Sequence, residues 1–292
     1  MARYGDRVVI VTGGSRGIGE GVVRAFVEAG SRVTIADIDA PTGEALARSL
    51  GGAATFARLD VRSDEEVGAL IADVVAREGR LDCLVNNAGT HPPHLAIDDI
   101  TPAAFRELLA LNLVSQFVAC RAALPHLRAT RGCIINMGSL VGSLGQAHAV
   151  DYVTTKGAIA AMTRALAIDE ARHGVRVNCV SPGNIDTPLW QSFAERAADP
   201  EAVRRDGAQA QWIGRLGTID EVGRLCVFLA AEATYTTGVD HVISGGAELG
   251  YGRKETAPTS VSAPRTAAVA PSPPPGRRPP PSSSSPDRDT SR

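Results

Sequence analysis

The chain has 292 residues, 44% of them hydrophobic, which fits one α/β domain with an appendage. Its net charge of −2 is unevenly placed: residues 253–292 carry seven basic and three acidic side chains, leaving residues 1–252 at −6 and arguing against a nucleic-acid surface. No uninterrupted apolar run reaches the length of a membrane span and no charged-then-apolar leader opens the chain, so the cytosol is the expected compartment. The five cysteines (Cys83, Cys120, Cys133, Cys179, Cys226) are odd in number and scattered through apolar runs. They fit buried thiols in a reducing compartment rather than a disulfide frame or a metal site.

In chain order, "RVVIVTG" predicts a first strand that runs directly into "GGSRGIGEGVVRAF". Gly13, Gly17 and Gly19 there permit a tight turn and close backbone approach to a pyrophosphate at a helix N-terminus. The next strand, "RVTIAD", ends in Asp37. A carboxylate at that place accepts hydrogen bonds from a ribose diol and repels a 2′-phosphate, favouring NAD over NADP, although Arg16 in the glycine turn could reach such a phosphate. "ATFARLD" is a third strand, and "SDEE" announces a helix through a capping box between Ser63 and Glu66.

"LDCLVNNAG" is the fourth strand, and the helix "LLALNLVSQF" puts Asn112 on an apolar face. A satisfied core asparagine and a proton-relaying one are both open readings of Asn112. "GCIINMGS" is the fifth strand and brings Ser139, thirteen residues before Tyr152. Tyr152 and Lys156 stand at i and i+4 on one helix face. Of 30 basic residues only Lys156 and Lys254 are lysine, so the type at 156 asks for a chemical reason. Oxidising an alcohol needs a base, and a free tyrosine ionises only near pH 10. A compact ammonium beside it lowers that value and can hold a ribose as well.

"VRVNCVSPG" and "DHVISGG" complete about seven strands. Most are continuous apolar runs alternating with helices, which predicts a single doubly wound parallel sheet of Rossmann type with helices on both faces. Residues 184–217 carry both tryptophans and break the rhythm, and an irregular lid over the site is expected there. Ten of the eighteen prolines follow Lys254. Residues 1–253 are therefore read as one cofactor-binding domain and 254–292 as a disordered Pro/Ser-rich tail.

T-G-x-x-x-G-x-G (Thr12–Gly19), "DV" (Asp60, Val61), "NNAG" (Asn86–Gly89), Asn112, Ser139, Y-x-x-x-K and "PGNIDT" (Pro182–Thr187) occur in order over residues 5–252. Together they resemble the short-chain dehydrogenase/reductase family. The resemblance implies Tyr152 as base, Lys156 as ribose holder and field source, Ser139 as substrate positioner and Asn112 as anchor of a relay water. It also implies Gly13, Arg16, Gly17, Ile18, Gly19, Asp37, Asp60, Val61, Asn87 and Gly89 along the dinucleotide, with Ile185, Thr187 and Leu189 at its carboxamide and phosphates.

"NNAGTHPPH", "SLVGSLGQAHAVDY", "SPGNIDTPLW" and "GGAELGYG" resemble a narrower group, cytosolic NAD-dependent homotetramers that oxidise 17β-hydroxysteroids and are also assigned L-fucose oxidation. That likeness implies a substrate pocket lined by His91, Gln146 and Trp190, with Tyr251 reaching a neighbouring subunit's site. Departures are Gly138 where a second serine is frequent, Asp151 beside the tyrosine, where a carboxylate facing the site would raise its pKa, and the long tail.

His91, His94, Gln146 and His148 supply the fixed donors and acceptors a hexose needs, whereas a steroid needs a wide apolar slot. The sugar is favoured and the 17β-hydroxysteroid remains open. A third reading is an NAD-binding interaction module recruited through its tail, where Pro271 and Pro274 have P-x-x-P spacing.

Overall fold

The computed structural model describes residues 3–249. Tyr251, the boundary expected after residue 253 and the proline-rich segment lie outside the described residues.

The chain runs β1 (Val8–Thr12), α1 (Gly17–Glu28), β2 (Arg32–Asp37), α2 (Ala40–Leu50), β3 (Ala54–Arg58), α3 (Asp64–Glu78) and β4 (Cys83–Asn86). It continues through α4 (Pro102–Leu109), a π-helical turn (Ala110–Val114), α5 (Ser115–Thr130), β5 (Cys133–Met137), α6 (Val141–Leu144), α7 (Val150–Ala171) and β6 (Arg176–Pro182). The last elements are α8 (Pro188–Glu195), α9 (Pro200–Gln209), α10 (Ile219–Ala231) and β7 (Asp240–Ile243). All seven expected strands form, and they pair in parallel in the order 3-2-1-4-5-6-7.

Successive strand residues point to opposite faces, and both faces are covered, which is why the strands read as unbroken apolar runs. Val9, Val11 and Ile35 pack with Val22, Phe26, Val222 and Leu229 of α1 and α10. Val8, Ile10 and Leu84 pack on the other side with Ile71, Val74, Ala123 and Leu127 of α3 and α5. Strand order reverses between β1 and β4, so their carboxyl ends, paired at Thr12 and Asn86, open the crevice in which ligands of such sheets sit.

Three local expectations change. Ser63 caps α3 by accepting from Glu66 N (3.2 Å), but the Glu66 carboxylate takes the Asp60 N–H (3.0 Å) instead of returning to Ser63. The reciprocal capping box forms at Thr218 and Glu221, before α10. Residues 184–217 are not irregular: they hold α8 and α9, and the segment is pinned at its base by Asp186 N to Gly217 O (2.8 Å) and Gly217 N to Asn184 O (3.0 Å). Finally, Pro102–Thr130 is one helical run of 29 residues, long and apolar enough to cross a membrane by length and composition. Its apolar character has a second outlet, since Ala119, Cys120, Ala123 and Leu127 are buried against the sheet.

Candidate active site

The crevice begins where β1 enters the glycine turn. Gly13 has φ +62, and a Cβ there would lie 2.7 Å from the Ala88 Cα; a Cβ on Gly19 would lie 2.0 Å from the Gly13 carbonyl oxygen. Only glycine allows this turn to close onto the first turn of α1. Asn87 Nδ2 donates to the carbonyls of Thr12 (3.1 Å) and Gly13 (2.8 Å), while Thr12 Oγ1 accepts from Asn87 N (3.0 Å) and Ala88 N (3.2 Å). The turn and the end of β4 are thus one braced unit, and the Asn87 side chain serves the turn. Ile18 is partly buried beneath it.

A Cβ on Gly17 (φ +58) would lie 3.7 Å from the Thr187 side chain, so the N-termini of α1 and α8 look at each other across the crevice. Arg16 is the exposed N-cap residue of α1 and makes no side-chain cap, leaving first-turn N–H groups free for an anion. Thr187 caps α8 through Trp190 N (3.2 Å), and Ile185 is buried behind it, bridged to Gly217. Two glycines that exclude a Cβ and a helix N-terminus open to an anion suit a dinucleotide.

At the adenosine end, Asp37 holds one backbone N–H on each oxygen, from Ser15 and Asp39 (both 3.0 Å). Each oxygen keeps a lone pair for a ribose hydroxyl. The Asp60 carboxyl is brought to about 2 by hydrogen bonds from the Arg62 side chain (2.9 and 2.6 Å) and backbone (3.0 Å), so it is held as one half of an ion pair. Val61 beside it is buried.

At the reactive end, the structure brings Ser139, Tyr152, Lys156 and Asn112 together. Ser139 follows β5 by two residues and stands near enough to the Tyr152 phenol to favour its ionised form. Lys156 Nζ is buried, donates to Met137 O (2.9 Å) and lies 5.7 Å from the Tyr152 ring centroid. Gly89 lies beside this group, and a Cβ on it would press on Asn112 Oδ1 at 3.0 Å.

Lys156 was expected to lower the Tyr152 pKa. In the chain itself burial dominates: it pushes Tyr152 up to about 12, against the opposing effect of Ser139, and pulls Lys156 down to about 8. Asp151 does not face the phenol with a free carboxylate. Its Oδ1 accepts Tyr152 N (2.7 Å), one of the orphan first-turn N–H groups of α7. Gly138 has its own reason, because a Cβ would strike Ser181 Oγ at 2.6 Å and Cys179 Sγ at 2.7 Å.

Asn112 sits inside the π turn, a distortion frequent at functional sites, and is fully buried. Its Nδ2 donates to Thr90 O (2.9 Å) and Thr155 Oγ1 (3.2 Å), and its Oδ1 accepts Thr90 N (3.0 Å). The side chain thus behaves as a satisfied core asparagine that ties the β4 loop to α7.

On the substrate side, the His91 ring stacks 4.0 Å from that of Tyr152, and Gln146 bonds His91 Nε2 (3.1 Å) and His94 Nε2 (3.3 Å). Trp190 turns away to α9, where its indole fills the space left by Gly207. Phe193, one turn further along α8, is the aromatic that meets this cluster, 5.5 Å from His94, and sequence reasoning missed it. Leu189 and Phe193 are exposed at i and i+4, an apolar face that the spacing in "PLWQSF" carries.

Residues 13–248 match the family described as enoyl-(acyl carrier protein) reductase. The chain is 53% identical over 264 residues to L-fucose dehydrogenase of Bos taurus, covering 90% of this chain and 97% of that one. It is 55% identical over 251 residues to L-fucose dehydrogenase of Oryctolagus cuniculus, covering 86% and 88%. The crystal structure of Cj0485 dehydrogenase aligns with a TM-score of 0.80 at 28% identity, covering 85% of this chain and 96% of that one. Identity at this level along nearly the whole described fold means that the chain belongs to the short-chain dehydrogenase/reductase family and is a dehydrogenase acting on alcohol donors.

Proposed function

We propose that the protein oxidises the anomeric ring hydroxyl of L-fucose to the lactone with NAD as acceptor. The observation that carries the reaction is the convergence of Ser139 and Lys156 on the Tyr152 phenol beside the glycine-turn crevice. The name shared by the Bos taurus and Oryctolagus cuniculus relatives supports the sugar. So does the wall of ring nitrogens and amide at His91, His94 and Gln146, which suits several hydroxyls better than a steroid skeleton.

The nicotinamide, when bound, supplies the hydride acceptor and a positive charge. The chain's own residues handle the proton. Ser139 positions the substrate oxygen, Tyr152 takes the hydroxyl proton, and Lys156 holds a cation behind the ring while gripping a ribose hydroxyl. Burial alone leaves Tyr152 protonated at neutral pH, so Lys156 needs the added positive charge to make the phenol a base. Asp37, with its two held N–H groups and remaining lone pairs, favours NAD over NADP.

NADH formation from L-fucose and from estradiol at matched concentrations tests the substrate, and the steroid reading takes over if estradiol is the faster of the two. In the same assay NAD is expected to be preferred to NADP by well over about tenfold. Asp37→Ala should narrow that gap. A wild-type preference for NADP would hand the choice to Arg16.

Homotetramer assembly is part of the proposal. Val114 at the end of the π turn, Phe117 of α5 and Ile168 of α7 are exposed, around a groove lined by Leu124, Pro125 and Leu166. A second copy covering these side chains would remove them from water. Light scattering on the intact chain is expected to give a tetramer that survives deletion of residues 256–292; a monomer would refute it. The cytosolic assignment draws on five buried, free thiols.

A further inference from the structure

The loop after β4 and the loop before α7 are joined by Leu95 N to His148 O (2.8 Å) and by the side-chain run His91–Gln146–His94. His91 Nδ1 lies 2.6 Å from the Pro92 carbonyl, which can only accept, so Nδ1 carries a hydrogen. Its Nε2 is taken by Gln146, and the other end of the same amide takes His94 Nε2. Turning the amide over exchanges donor for acceptor but engages the same two nitrogens. Of the four ring nitrogens, only His94 Nδ1 has no protein partner among the described residues.

Its location gives that atom a use. The His94 ring is 5.1 Å from His91, which is 4.0 Å from Tyr152, so it stands one ring further from the proton-accepting phenol. Phe193 of α8 flanks it at 5.5 Å, and the ring is otherwise open to solvent. Burial, with His91 and His148 nearby, favours the neutral imidazole, a form that both donates and accepts. A ring substrate whose reacting hydroxyl is at Tyr152 would thus place a neighbouring hydroxyl at His94 and an apolar ring face at Phe193. Resting on the reaction proposed above, we propose that His94 is a specificity-determining residue whose Nδ1 hydrogen-bonds a second, non-reacting hydroxyl of the substrate ring.

Cyclohexanol and cis-1,2-cyclohexanediol isolate that contact, since they differ by one hydroxyl. The quantity read is the ratio of kcat/KM for diol over mono-ol, with NAD saturating. His94→Phe keeps an aromatic ring between His91 and Phe193, and the ratio is expected to fall by about tenfold, the loss falling on KM for the diol, as one hydrogen bond requires. His94→Asn returns a polar atom near the Nδ1 position and is expected to recover most of the ratio. Equal losses for both alcohols would mean a structural role and overturn the proposal. So would an unchanged ratio in His94→Phe, no recovery in His94→Asn, or a wild type that turns over neither alcohol. Failure of the L-fucose reading has a different signature: a wild type that oxidises the cyclohexanols and leaves L-fucose untouched.

Discussion

Replacing Tyr152 by phenylalanine is expected to lower turnover by about a thousandfold or more, the contribution of a positioned general base, while leaving dinucleotide binding close to that of the wild type. The phenylalanine ring keeps the place that stacks on His91, and the glycine-turn crevice, braced by Asn87 and Thr12, does not involve the phenol. Only the hydroxyl is lost, and with it the acceptor for the substrate proton. Ser139 cannot take over, since a serine hydroxyl ionises even less readily than a phenol. Single-turnover NADH formation and cofactor titration by fluorescence separate the two effects. Turnover within tenfold of wild type would show that another group accepts the proton; lost binding would show that Tyr152 holds the dinucleotide.

Most of the sheet, and the residues that meet in the candidate site, were legible because each rests on a local regularity. Buried parallel strands write themselves as β-branched runs, Gly13 and Gly19 stand where a Cβ cannot and Gly17 at a positive φ, and Tyr152 and Lys156 share a helix face at i and i+4. What failed depends on partners distant in sequence or on competition. Glu66 had two backbone N–H groups within reach and took that of Asp60 rather than that of Ser63. Asp151, adjacent to the tyrosine in sequence, was claimed by the orphan N–H of its own helix.

The insert could have been read better. Thr187-Pro188 and Asp199-Pro200 are N-cap and first-turn signals for α8 and α9, obscured because both helices are short. The Tyr152 pKa could not be read, since the desolvation that raises it is set by the packed fold.

Lys156 carries the other large effect, and two substitutions divide its roles. Arginine keeps the charge but not the shape. Nζ is buried, bonded to Met137 O and close to Gly89, and behind it α6 presses Gly142 so close that a Cβ there would lie 2.8 Å from the Lys156 backbone. A guanidinium has to displace that wall or swing into the crevice. Lys156→Arg is therefore expected to lose about a hundredfold or more in turnover, the scale of a misplaced catalytic group, and overpacking should cost about 1–3 kcal/mol of stability.

Methionine keeps the length and removes the charge, so Lys156→Met should be as inactive, yet its stability should go the other way. The folded-state pKa of Lys156 is pulled below the unfolded value of 10.5 to about 8 by burial. Below about pH 8 the native state carries the full penalty of a buried ammonium. Between about 8 and 10.5 the unfolded chain binds more protons than the native one, so wild-type stability rises with pH as the penalty is relieved. Lys156→Met lacks this term. At pH 7 it is expected to melt no lower than the wild type, with any advantage shrinking as the pH climbs through that window. Thermal melts of both proteins at pH 7 and pH 9.5 check the sign. A methionine variant that melts far below wild type at pH 7 would mean that Lys156 stabilises the fold; near-normal turnover of Lys156→Arg would mean that any cation serves, and the chemical reason for a lysine at this position would be gone.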